Sequence, residues 1–199
     1  MEKACSRAEE LTRRLMTFAR GGMSHKKPVY LDRILRESVE LALTGSGLRC
    51  SYRMAPDLSP VEADPGQIGQ VINNLAINAL QATDGSGVIE LRAENIRLTG
   101  SGELTLPPGE YVKVEVEDEG EGIPSGHLEK IFEPYFTTKH NGTGLGLSAA
   151  YSIIRKHGGT IRARSNSGKT VFTIYLPSLA PGRKNSIRRS RESLSGSSR

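Results

Sequence analysis

Apolar residues recur at helical spacing in some stretches of this chain and alternate with polar ones in others, and the order of the two patterns predicts an architecture. Ala4, Ala8, Leu11, Leu15 and Phe18 lie three and four apart, which predicts one face of a helix over residues 2–20, stopped by Gly21–Gly22. A strand-like Pro28–Leu31 leads into a helix from about Asp32 to Leu43, with Ile34, Leu35, Val39 and Leu43 inward; Leu48–Met54 then alternates as a strand. Asp64-Pro65-Gly66-Gln67 is a helix start: the aspartate can accept orphan amides, proline suits the first turn, and Gln67 stands three residues after the cap. The helix it opens runs to about Thr83 on a stripe of Ile68, Val71, Ile72, Leu75, Ala79 and Leu80.

Strands are expected at Val88–Asn95 and Tyr111–Glu119, the second with Val112, Val114 and Val116 inward, and Arg97–Glu110 between them reads as a loop or hairpin. Gly120–Gly144 shows little regular pattern. A helix resumes over about Leu145–His157, and Thr160–Asn166 and Thr170–Leu176 form a closing hairpin. Two core helices and one mostly antiparallel, mixed sheet predict an α+β fold, a two-layer α/β sandwich with helices on one face. The helix at residues 2–20 stands apart from that core. Residues 28–177 form the expected domain, and 178–199 a basic, Ser/Arg-rich tail.

Charge changes the picture only once it is located. Of 27 Lys and Arg and 22 Asp and Glu, six basic residues and one acid fall in residues 182–199, leaving 21 of each elsewhere. The body is neutral, so a nucleic-acid-binding surface is not expected on it. The tail holds little apolar beyond Ile187 and Leu194, and its expected state is disordered. Cys5 and Cys50 form no metal or redox spacing and read as reduced thiols, in keeping with a cytoplasmic chain. No apolar run approaches the length of a membrane span.

Three groups carry candidate chemistry. Asn74 and Asn78 are four apart and share a helix face, with Asn73 beside them, inside an otherwise apolar stripe. A carboxamide oxygen suits Mg²⁺, which keeps waters and takes phosphate oxygens; buried amides bonded to neighbouring loops are the competing reading. Asp118-Glu119-Gly120-Glu121-Gly122 follows a strand, where a carboxylate can accept from an exocyclic amine such as adenine N6 and glycines admit a flat ring; a plain turn also has this sequence. Gly142-Thr143-Gly144-Leu145-Gly146-Leu147 precedes a helix, so phosphate would be favoured at its N-terminus. It lacks the lysine ending of a P-loop and has no strand immediately before it, and a simple helix-entry loop is equally compatible.

Taken together and in this order, the motifs resemble the catalytic ATP-binding domain of sensor histidine kinases, within the ATPase superfamily that includes Hsp90, DNA gyrase and MutL. The asparagine box matches at Gln70–Ala82 (QVINNLAINALQA), the first glycine box at Asp118–Gly122, the phenylalanine box at Ile131–Lys139 (IFEPYFTTK) and the second glycine box at Gly142–Leu147 (GTGLGL). The resemblance covers about residues 28–177 and implies a Bergerat ATP-binding fold with ATP and Mg²⁺. It implies Asn78 as the metal ligand, Asn74 near the phosphates and Asp118 on adenine N6. Gly120 and Gly122 would line the base, Gly142, Thr143, Gly144, Leu145, Gly146 and Leu147 the phosphates, Phe132 and Phe136 would anchor a lid, and Lys139 would meet a phosphate oxygen. Because Gly126–Gly142 is polar and contains glycine, it offers few packing anchors and is expected to be poorly ordered without ligand.

Leu11–Arg20 (LTRRLMTFAR) resembles the end of the second helix of the family's dimerisation and phosphoacceptor domain. None of His25, His127, His140 or His157 has the sequence context of the family's phosphoacceptor, so the chain is expected to be a piece that lacks one. The implied activity is transfer of the γ-phosphoryl of ATP to a histidine, with Asn74 and Lys139 as catalytic candidates. Related ATPases carry a glutamate where Asn74 stands, and asparagine cannot activate water. The implied partners are the phosphoacceptor domain of the parent kinase and a response-regulator receiver domain. The parent would be a homodimer with or without a membrane anchor, and this chain a monomer or weak dimer. A nucleotide-responsive binding module without kinase output is the alternative of another class; a serine-directed anti-sigma kinase is disfavoured by Leu11–Arg20.

Overall fold

The computed structural model of the chain describes residues 25–100, 106–139, 142–166 and 168–179. The expected helix at 2–20 and the tail at 182–199 lie outside them.

Among the described residues, seven strands and three helices follow in the order β1 (Lys27–Val29), α1 (Leu31–Leu43), β2 (Arg49–Met54), β3 (Val61–Ala63), α2 (Pro65–Ala82), β4 (Val88–Leu98), β5 (Gly109–Asp118), α3 (Gly146–Lys156), β6 (Thr160–Asn166) and β7 (Lys169–Pro177). A 3₁₀ turn, Ser125–His127, interrupts the connection from β5 to α3. The main sheet has the order β2-β4-β5-β7-β6, parallel only between β2 and β4, and β1 pairs with β3 in a separate antiparallel ribbon. This is an α+β sandwich of the Bergerat type: all three helices lie on one face of a mixed, mostly antiparallel sheet.

Alternation decides which face is which. Register pairs Leu91 with Val116 and Ala93 with Val114, and beyond them Val116 with Phe172 and Val114 with Ile174, so one face is a continuous apolar layer. The helices close on that layer with Leu31, Leu35, Val39, Ile68, Ile72, Leu75 and Ile154, all buried. The opposite face carries interlocked charges. Arg92 bridges Glu90 and Glu117, Lys169 meets Glu117 at 2.5 Å, and Lys113 meets Glu94 and Glu115 at 3.1 and 3.0 Å. Glu90 and Glu117 stand opposite one another in register, and Arg92 and Lys169 offset their repulsion.

Several expectations are refined. Leu31 is the first residue of α1 and fully buried, not the end of a strand. β3 has no counterpart in the sequence pattern, because three residues bounded by Pro60 and Asp64-Pro65 are too few for alternation to register. At the start of α2, Asp64 does accept the amides of Gly66 and Gln67, at 2.9 and 3.1 Å. The capping box is not closed: the Oε1 of Gln67 is buried without a partner, and the N–H of Asp64 goes to Nε2 of His157 at 3.0 Å. A tertiary acceptor from the end of α3 displaces the local one. Among the described residues, no helix is long and apolar enough to cross a membrane.

Candidate functional site

The alternation that builds β5 also places its last side chain. Asp118 follows Val112, Val114 and Val116 on the helix-facing side, at the position where the pattern would next call for a hydrophobe, and it is 2% exposed. Oδ1 accepts the N–H of Gly120 at 3.0 Å, and the carboxylate makes no other hydrogen bond among the described residues. Burial pushes its pKa above the ordinary carboxylate value, against the Gly120 N–H and the charge of Lys139, which hold it down. A buried acceptor with bonding capacity to spare suits an amine donor.

The turn after Asp118 is pressed onto the end of α2. Glu121 donates its N–H to the Ala82 carbonyl at 3.1 Å, and a Cβ on Gly120 would stand 2.5 Å from that same oxygen. Only glycine fits there. Gly122 adopts φ +80° and faces the β6–β7 hairpin, where a Cβ would meet the Asn166 carbonyl at 2.8 Å. Ile123 completes that junction by donating to Oγ of Ser165 at 2.7 Å, and Ser165 also bonds Thr170, the register partner of Asp118.

Asn74, Asn78 and Gln81 share one face of α2, one at each successive turn. Asn74 donates Nδ2 to the Gly146 carbonyl at 3.0 Å, which ties α2 to the first turn of α3 and turns its Oδ1 away from that contact. The Asn78 carboxamide makes no hydrogen bond among the described residues. Its oxygen is a neutral, hard donor of the kind Mg²⁺ accepts beside phosphate oxygens and water. Among the described residues no cluster of three or more His, Cys, Asp or Glu offers an all-protein cage. The residues therefore fit a metal that is shared with a polyphosphate.

Lys139 reaches the same side of α2. Its Nζ donates to Oε1 of Gln81 at 2.9 Å and to the backbone carbonyl of Asn78 at 3.4 Å. Burial lowers its pKa, while the carboxylates of Glu121 and Asp118 act to raise it. Gln81 escaped the sequence reading, although its spacing of three from Asn78 was the available signal.

In the glycine turn, Gly144 has φ +66° and a Cβ there would lie 2.3 Å from the Tyr135 carbonyl carbon; the Tyr135 N–H bonds the Gly144 carbonyl at 3.0 Å. A Cβ on Gly142 would meet Oγ1 of Thr137 at 2.2 Å. Gly144 is required because the phenylalanine-box backbone crosses it, whereas at Gly142 the crowding comes from the Thr137 and Lys139 side chains. Gly146 is different, with ordinary clearance of 3.7 Å to Asn74. Leu145 caps α3 without a side-chain bond to its first amides, Thr143 is half-buried, and Leu147 packs on the core.

The segment from Gly126 has more anchors than its polarity suggested. Ile131 is buried, and Phe132 and Phe136 pack against the core. Phe132 lies 5.6 Å from Tyr151 and 6.5 Å from Phe172, and Phe136 meets His127 edge-on at 5.4 Å. The expectation of few anchors is corrected for residues 126–139; His140 and Asn141 lie outside the described residues. Of the remaining candidates, His157 is buried, with both ring nitrogens bonded.

The chain is similar to known proteins. The family described as histidine kinase-, DNA gyrase B- and HSP90-like ATPase matches residues 63–180. Sensor kinase CckA of Brucella abortus is 43% identical over 187 residues, covering 90% of this chain and 20% of the relative. Sensor histidine kinase ZraS of Escherichia coli is 34% identical over 181 residues, covering 89% of this chain and 36% of the relative. The chain thus spans well under half the length of these relatives. Among solved structures, the catalytic domain of histidine kinase ThkA in a nucleotide-free form superposes with a TM-score of 0.63 at 33% identity, covering 77% of this chain and 96% of that one. Full-length ShkA in complex with AMPPNP gives 0.73 at 24% identity, covering 90% of this chain and 38% of that one, and shares the fold. With four motifs, one fold and these relatives in agreement, the chain belongs to the histidine kinase-, DNA gyrase B- and HSP90-like ATPase family, as a catalytic domain of the sensor histidine kinase type.

Proposed function

We propose that this chain binds Mg-ATP in the cleft between α2, the Asp118–Gly122 turn and the glycine turn before α3, and passes the γ-phosphoryl to a histidine on the phosphoacceptor domain of its parent kinase. What supports the reading is the proximity of a buried carboxylate with spare acceptor capacity, an amide with no hydrogen-bond partner among the described residues, and a half-buried lysine whose charge reaches that carboxylate. Residues 28–177 are the ATP-binding unit in this reading.

Asp118 accepts from the exocyclic amine of the purine, with Gly120 and Gly122 beside the ring. Asn78 offers its amide oxygen to the metal. Mg²⁺, when bound, offsets charge on the polyphosphate and improves ADP as a leaving group. Lys139 supplies a positive charge near the phosphates, and Asn74 sets α2 against the start of α3, whose uncapped amides favour an anion. In the transfer the bond from the γ-phosphorus to the β–γ bridging oxygen breaks, a P–N bond forms to an imidazole nitrogen, and ADP departs. The nucleophile needs no strong base, and Asn74 supplies none, so water attack is disfavoured. A receiver domain then takes the phosphoryl from histidine.

Incubating the chain with γ-labelled ATP, Mg²⁺ and the phosphoacceptor domain of its parent tests this directly. The expected result is acid-labile label on that domain, lost in Asn78→Ala and Asp118→Asn chains. Labelling that survives both substitutions, or no labelling by a chain that binds Mg-ATP, would overturn the transfer.

A further inference from the structure

Lys139 is held in an unusual way for a half-buried cation. Its direct partners, the Gln81 amide oxygen at 2.9 Å and the Asn78 carbonyl at 3.4 Å, are both uncharged. The carbonyl belongs to the last turns of α2, the end of a helix that favours positive charge. Asp118 and Glu121 attract it without bonding it directly. Held this way, two of the three ammonium protons are directed by uncharged acceptors, whereas a carboxylate at position 81 would cancel the charge it fixed. Gln81 also shares a helix face with Asn78, so the contact sets Lys139 beside that residue.

We infer that Gln81 is a positioning residue, which fixes the Lys139 ammonium beside Asn78 so that its charge is preoriented for the phosphates of the nucleotide. The inference rests on the proposed Mg-ATP site and extends it to a residue that touches no nucleotide itself. Preorientation matters because a free lysine loses rotamer freedom when it binds an anion, and a lysine already held loses less.

The test is a double-mutant cycle on the whole chain, with Mg-ATP and Mg-ADP affinity read by calorimetry. Leucine at 81 keeps a good helix former on an exposed position and removes only the acceptor. Gln81→Leu is expected to weaken Mg-ATP binding about fivefold, and Lys139→Met by more, with the effect of Gln81→Leu vanishing in the Lys139→Met background. Thermal unfolding of each variant serves as the control for folding. A purely structural Gln81 would give the same loss in both backgrounds, and that result would overturn the inference, as would a Gln81→Leu affinity equal to the wild type. A wild-type chain with no measurable Mg-ATP binding would instead sink the underlying reading and this inference with it.

Discussion

His157 accepts the backbone N–H of Asp64 through Nε2 at 3.0 Å, joining the end of α3 to the first turn of α2 across 93 residues of sequence. Nδ1 lies 2.8 Å from the Ile153 carbonyl, an oxygen that can only accept, so Nδ1 carries the proton and Nε2 is left as the acceptor. One neutral ring therefore ties together the helices that carry Asn74, Asn78 and the start of α3. The ribbon of β1 and β3 is held at the same corner, where His25 donates its N–H to Oδ2 of Asp64 at 3.2 Å.

Replacing that ring removes an acceptor and leaves a void. His157→Ala is expected to cost about 2–3 kcal/mol, since the Asp64 N–H loses its partner and the space of a buried side chain opens. Urea unfolding followed by circular dichroism measures it. A loss below about 0.5 kcal/mol, within the range of ordinary surface substitutions, would show that the joint is incidental.

Much of this fold was legible in the sequence, because helix and strand here are dictated by period. The stripe from Ile68 to Leu80 and the alternation of Val112, Val114 and Val116 name the buried faces, and parity alone places Asp118 inward. What was not legible depends on residues distant in sequence. Gln67 obeys the local capping rule, yet His157 takes the amide it would have served. Gly142 and Gly144 read as phosphate-lining residues, while the structure adds a steric requirement imposed by Thr137 and Tyr135. Lys139 reads as a lysine that would meet a phosphate oxygen, and its contact with Gln81 emerges only in the fold. Such contacts leave no periodic trace.

Asn78 gives a test that separates metal from nucleotide. Its carboxamide contributes no hydrogen bond to the fold among the described residues, so Asn78→Ala should leave unfolding within about 0.5 kcal/mol of the wild type. Affinity for Mg-ATP should fall by about tenfold or more, the scale expected for loss of a metal-site interaction. With EDTA in place of Mg²⁺, wild type and variant should bind ATP alike, as titration calorimetry would reveal. A difference that persists without metal would assign Asn78 another role.

Asp118 links stability to pH with a definite sign. Its folded pKa is raised by burial, so the folded state holds the proton more tightly than the unfolded chain. The stabilisation from that proton is complete below the ordinary carboxylate range and disappears as pH rises through the elevated pKa. At neutral pH the buried charge is therefore a cost. Asp118→Asn keeps an oxygen for the Gly120 N–H and should make the ligand-free chain more stable at pH 7, by about 1 kcal/mol, a usual gain where a site is freed of functional strain. The advantage should shrink toward acid pH, while Mg-ATP affinity falls at neutral pH. A variant less stable than wild type at pH 7 would contradict the desolvation argument.

Glycine substitutions distinguish what the fold requires from what a ligand requires. At Gly120 a methyl group would stand 2.5 Å from the Ala82 carbonyl, so Gly120→Ala must push the turn away from α2 and should cost about 2 kcal/mol or more. At Gly146 the same methyl has ordinary clearance and lies in the first turn of α3, where alanine is the better helix former; Gly146→Ala should be neutral or up to about 1 kcal/mol more stable. If glycine at 146 serves close approach of phosphate to the α3 amides, this stable variant should nevertheless bind Mg-ATP more weakly while Asn74 still bonds the carbonyl of residue 146. Thermal unfolding and calorimetry on the two variants read both quantities. A Gly146→Ala chain that is as stable as wild type and binds Mg-ATP equally well would remove the phosphates from that turn and leave it a helix entry.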